Sequence, residues 1–122
     1  MVETDTQFRI VHPHHDGALH SVSVEGKSAV LHYTAVDGVR RTVVLTGVRD
    51  MDVSTFRLGN IIGSMCAVPT ERASEVVDKS LLMRFGWGAL PTLPPGLILF
   101  TLDAAYGAEV IALCEDVTLA EV

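Results

Sequence analysis

Basic residues are scarce in this chain of 122: nine Lys and Arg stand against 15 Asp and Glu, for a formal net charge of −6. Arg40 and Arg41 are the only adjacent basic pair, so there is no basic stripe to follow a phosphate backbone, and nucleic acid is not an expected partner. Residues 103–122 hold Asp103, Glu109, Glu115, Asp116 and Glu121 with no Lys or Arg, which gives that end of the fold a negative potential. Cysteine is equally sparse. Cys66 and Cys114 lie far apart in apolar segments, the pattern of buried free thiols in a reducing compartment and not of a bridge or metal pair. The opening stretch MVETDTQFRIVHP has no basic start followed by an apolar run, and no window approaches the roughly 18 uninterrupted apolar residues of a membrane span. A cytoplasmic protein without membrane association is expected. GxSxG, P-loop, dinucleotide and HExxH signatures are all missing.

Apolar residues, by contrast, are in surplus. They make up 48% before glycine is counted and roughly 56% with it, against about 45–50% in ordinary domains. The length suits one domain spanning 1–122, with polar residues 1–7 expected to fray. A subunit interface, a ligand cavity or a dense core can each absorb the excess, and a homo-oligomer is the first expectation.

The strongest local signal is AVLHYTAVDGVRRTVVLTGV, two β-rich runs around Asp37 and Gly38. Asp-Gly tolerates the positive φ of a two-residue type I′ turn, which pairs Thr34 with Arg41, His32 with Val43 and Val30 with Leu45. LHSVSVEG reads as a preceding half-buried strand, and RDMDVSTFRLGN as a polar, turn-prone connection with a corner at Gly59-Asn60. IIGSMCAV is a short strand stopped by Pro69, with Thr70 as the N-cap of a helix over 71–85 that turns Ala73, Val76, Val77, Leu81 and Phe85 inward and stops at Gly86. GLILFTLDAAYGAEVIALCEDVTL closes the chain as a hairpin turning near Tyr106-Gly107. The expected fold class is α+β, mainly antiparallel β: about six strands in a curved sheet or barrel-like sandwich, with one helix packed on it.

Two places carry chemistry worth weighing. Four of the five histidines crowd HPHHDGALH, residues 12–20. On an extended segment His12 and His14 project the same way, and Asp16 or His20 can supply a further ligand for a divalent metal such as zinc. The competing reading is a surface loop, since Pro13 and Gly17 mark a turn where polar residues collect. His32 falls mid-strand and reads as a strand or core histidine, and a Cys–His nucleophile needs a contact between Cys66 or Cys114 and a histidine that spacing does not establish. The second place is Trp87, the only tryptophan, flanked by glycines and followed by Leu90 and Leu93 in a proline-rich loop. Such a loop is either an interface hot spot or a lid folded onto the core.

Taken in order, HDGALHSV, the Asp-Gly hairpin, LTGVRDMDVSTFRLGNIIG and LDAAYGAEVIAL resemble small bacterial proteins of unassigned function, some similar to immunity proteins that sit beside secreted toxins. The resemblance implies a β-rich domain that acts by binding a partner protein and uses no cofactor. The acidic balance then suits an inhibitor covering a basic nuclease site. The leading expectation is a non-enzymatic protein-binding or oligomerising domain using the Trp87 loop or an exposed sheet face. The alternative is a metal- or small-ligand-binding domain centred on His12, His14, Asp16 and His20.

Overall fold

The central hairpin sets the register of half the fold. β2 (Ser28–Thr34) and β3 (Arg40–Thr46) pair antiparallel, in a computed structural model that describes residues 1–84 and 93–121, with Lys79 and Arg84 described by their backbone. The turn has three residues and not the expected two. Ala35 donates its N–H to Val39 O (3.1 Å) and its carbonyl accepts from Gly38 N (2.9 Å). Gly38 alone in the turn takes a positive φ, 81°, the pattern of a tight turn closed by a left-handed glycine bulge. His32 therefore faces Thr42 and Thr34 faces Arg40, one residue away from the pairing that a type I′ turn produces. The shift sorts the side chains cleanly. Leu31, Tyr33, Val43 and Leu45 are buried on one face, while His32, Thr34, Arg40 and Thr42 take the other. Val36 is left at the tip, 73% exposed.

Among the described residues eight strands form, against about six expected. β1 (Ala18–Glu25), β4 (Asp50–Ser54), β5 (Asn60–Pro69), β6 (Ile98–Tyr106), β7 (Glu109–Cys114) and β8 (Asp116–Glu121) join the central pair in one antiparallel sheet of order β4-β7-β6-β5-β1-β2-β3-β8. β4 lies in the segment read as a polar connection, because Asp50 and Asp52 belong to the sheet's last strand in that order, where charge is tolerated and discourages further pairing. β8 lies in what was read as the end of the final hairpin, and Glu115 alone separates it from β7. Since β3 pairs with β8 and β4 with β7, two long bent strands run side by side around a corner. Arg49 N donates to Leu113 O (2.8 Å) and Glu115 N to Thr46 O (2.9 Å), carrying the ladder through the bend.

The amino-terminal residues are not frayed. Val2 N donates to Val117 O (2.7 Å), Ile10 N to Met65 O (2.9 Å) and Ala67 N to Phe8 O (3.0 Å), and a bridge joins Thr4 to Ile10. Polar composition hid the two apolar anchors: Val2 and Ile10 are both buried in the main core.

That core runs from Leu19, Leu31, Tyr33, Val43 and Leu45 to Ile62, Met65, Phe100, Leu102 and Val117. A second core lies where Val68, Leu99, Ile111 and Leu113 meet Ala73, Val77, Leu82 and Leu97. The single helix expected over 71–85 is replaced by a 3₁₀ helix (Thr70–Glu75) and a separate α1 (Lys79–Arg84). Arg72 leaves helical geometry, and Asp78 starts α1 afresh: its Oδ1 accepts from Leu81 N (2.9 Å) and Ser80 Oγ (2.7 Å), as an N-cap does. Thr70 makes no cap bond. It is buried, its N–H donates to Leu97 O (2.9 Å), and its Oγ1 accepts from Leu97 N (3.4 Å). Leu82, not Leu81, is fully buried, and the expected Phe85 and Gly86 lie outside the described residues. Among the described residues no helix is long and apolar enough to cross a membrane.

Candidate functional site

The histidine segment fastens a loop to β5. His14 is buried; its Nε2 accepts from Met65 N (3.0 Å), so that nitrogen carries no proton, and Nδ1 donates to the carbonyl of His12 (2.8 Å). Both ring nitrogens are thereby engaged, and none is left for a metal. Burial holds the His14 pKa below the ordinary histidine value. His15 Nδ1 bonds Gly63 O (2.7 Å), Asp16 N donates to Ile62 O (2.8 Å), and Gly17 N donates to His14 O (2.9 Å). The Asp16 carboxylate sits 3.5 Å from His15 Nε2. His20 is drawn to another strand, where its Nε2 meets Thr34 Oγ1 at 2.7 Å. The structure thus does not assemble His12, His14, Asp16 and His20 into a ligand set, and among the described residues no group of three or more His, Cys, Asp or Glu could hold a metal ion. The residue types suit ligation, but the topology directs them to β5 and β2.

Cys66 and Cys114 are buried free thiols. Burial pushes the Cys66 thiol up and the Cys114 thiol up to about 12, the opposite of what a nucleophile requires. Cys114 Sγ donates to Ile98 O (3.7 Å). Trp87 and Leu90 lie outside the described residues. Leu93 is half-buried and packs against the second core, so the one expected contact residue that is described faces inward, while Pro94, Pro95 and Gly96 after it are exposed.

A site the sequence reading did not single out emerges at the corner where β4 ends, β5 begins and β6 turns into β7. Asn60 is buried and works as a clasp. Its Oδ1 accepts from Arg57 N (2.8 Å) and Ala108 N (2.9 Å), while Nδ2 donates to Arg57 O (2.7 Å). Both polar ends of the amide are satisfied, which fixes loop 55–59 and the 106–108 turn to each other. Gly107 takes φ 87° directly against the Asn60 side chain, so a Cβ there has neither the conformation nor the room. Held on this clasp, Leu58 is 100% exposed, with Phe56 at 49% and Tyr106 at 54%, around a shallow hollow that also includes Arg57. Val53, at the end of β4, is 38% exposed. Three of the nine exposed large hydrophobic side chains among the described residues therefore gather around one hollow, which distinguishes a patch from the scattered apolar residues of any surface. The available signal was Phe56-Arg57-Leu58 inside a segment whose turn residues, Gly59-Asn60, had already been recognised.

No family model, curated protein or solved structure matches this chain.

Proposed function

We propose that this chain acts by binding and not by catalysis, and that it self-associates through the corner formed by Phe56, Arg57, Leu58 and Tyr106. The observation that carries the reading is a fully exposed leucine on a loop held rigid by a buried asparagine. Apolar side chains displayed on a fixed backbone lose little entropy on contact, and Tyr and Arg are enriched where binding energy concentrates. The occupant is a second copy of the chain. A two-fold axis sets this apolar corner against its own copy, which makes the contact self-complementary. The apolar surplus of the composition points the same way. The exposed side chains supply only the centre of an interface; about 800 Å² per partner is usual for a stable complex, so a reversible dimer is expected.

The immunity-like role implied by the resemblance is a proposal at the next level, in which the same acidic chain covers a basic partner. Sedimentation velocity across a concentration series tests the primary reading. The expected result is a reversible dimer that Leu58→Asp converts to monomer without changing the far-UV circular dichroism spectrum. A wild-type chain that stays monomeric at the highest reachable concentration, or a Leu58→Asp chain that dimerises normally, overturns it.

A further inference from the structure

The polar face of β1–β3 carries a different site, sharing no residue with the association corner. The three-residue turn places His32, Thr34 and Arg40 on the side away from the main core. The β1 bulge between Leu19 and Ser21 inserts His20 as the extra residue beside them. Together with Tyr33 and Arg41 they line a cleft of about 500 Å³. Among the described residues no carboxylate contributes to that lining, in a chain whose net charge is −6.

The imidazoles are held in place. His20 Nε2 shares a 2.7 Å hydrogen bond with Thr34 Oγ1, and His32 Nδ1 a 3.2 Å one with Thr42 Oγ1. Each threonine hydroxyl orients one ring and leaves the second nitrogen, Nδ1 of His20 and Nε2 of His32, without a partner among the described residues. The two arginines differ. Arg41 is buried and bound by Asp37 through Nη1 (3.1 Å) and Nη2 (3.0 Å) and by Glu121 (3.2 Å), so its charge is already balanced. Arg40 is exposed and has no ion pair or hydrogen bond among the described residues. The cleft thus combines a guanidinium that has no ion pair among the described residues, two oriented imidazoles and flat ring faces.

We propose that this cleft binds a small organic anion: a planar ring bearing a phosphate or carboxylate. Arg40 takes the oxyanion, whose geometry its planar fork matches. The unpartnered imidazole nitrogens bond the polar atoms of the ligand, and the ring lies against the imidazole faces. The volume falls in the range of small-molecule sites, about 300–1,000 Å³, and a bare inorganic anion would leave most of it empty.

Chemical-shift titration of the intact, isotopically labelled chain tests this with four probes: adenosine monophosphate, adenosine, salicylate and inorganic phosphate. Shifts at His20, His32, Thr34 and Arg40 are expected with adenosine monophosphate or salicylate, at least about tenfold weaker with adenosine or phosphate alone, and weakened about tenfold by Arg40→Gln. Arg40→Gln changes an exposed side chain at a strand end, and its spectrum in the absence of probe reports its folding. The phosphate and carboxylate probes separate the two sources of the oxyanion, and binding of either supports the site. No shift at these residues with either ring-bearing anion overturns the proposal. So does inorganic phosphate or adenosine binding as tightly as the combined ligand, or binding that ignores Arg40→Gln.

Discussion

His14 shows how one side chain can be chemically suited to one task and placed for another. Its imidazole is a bridge between backbones, accepting from Met65 N and donating to His12 O, and the bridge works only in the neutral form. Protonation puts a hydrogen on Nε2 against the Met65 N–H and buries a charge. Burial lowers the folded pKa below the unfolded value of 6.5, so the unfolded chain binds more protons in the interval between the two. Stability therefore rises with pH through that interval and falls as pH drops below 6.5 toward the folded pKa. Urea melts at a series of pH values are expected to show this loss. His14→Ala should remove His14's contribution to it and lower stability at neutral pH by about 1–3 kcal/mol, the cost of a buried N–H left without its acceptor. A variant melting with the same pH slope as wild type would place the titration elsewhere.

At the scale of elements, legibility followed packing more than propensity. The β2–β3 hairpin was readable because both strands are rich in β-branched residues and Asp-Gly marks a turn. Its register was not, because Asp-Gly serves a two-residue turn and a three-residue bulged turn equally well. The deciding information was non-local: only the longer turn puts Leu31, Tyr33, Val43 and Leu45 on one face. The helix was read too long because apolar spacing ran through Asp78, a residue that caps a new helix as readily as it sits within one. β4 escaped notice because a terminal strand can be polar. The association corner escaped for a related reason, since nothing in the sequence says that Asn60 will be buried while Leu58 beside it is fully exposed. That contrast makes the clasp testable. Asn60→Ala removes three hydrogen bonds and leaves the N–H groups of Arg57 and Ala108 without their acceptor, so a loss of about 1–3 kcal/mol is expected from the stranded buried donor. Amide exchange should rise first in 55–59 and 106–108, and dimerisation should weaken even though no contact residue is altered. Uniform loss of protection throughout the sheet would argue against a local clasp.

At the scale of the whole molecule, fold class was legible and the way the sheet's ends are tied was not. Alternating apolar strands separated by turns announce an antiparallel sheet, and a mainly antiparallel sheet with few helices is what forms. How its ends are dressed depends on contacts between residues remote in sequence, and the amino-terminal arm is the clearest case. Residues 8–10 run along β5 where β1 has left off, and Val2 bonds Val117 on β8. The arm thus ties β5 to β8, with Ile10 as its apolar anchor and the Met1 ammonium 3.2 Å from Asp116. An arm of this kind should unfold with the domain and not ahead of it. Ile10→Ala is expected to cost about 2–5 kcal/mol, the range for emptying a buried isoleucine site, whereas a tail resting on a self-sufficient sheet would cost far less. Val2→Asp, which forces a carboxylate into the same core, should destabilise as well and speed amide exchange in β8 along with the arm. The comparison that decides is between β8 and the arm: matched exchange rates in the Ile10→Ala chain mean that the arm belongs to the sheet's cooperative unit, and an arm that exchanges freely while β8 stays protected means that the sheet holds without it.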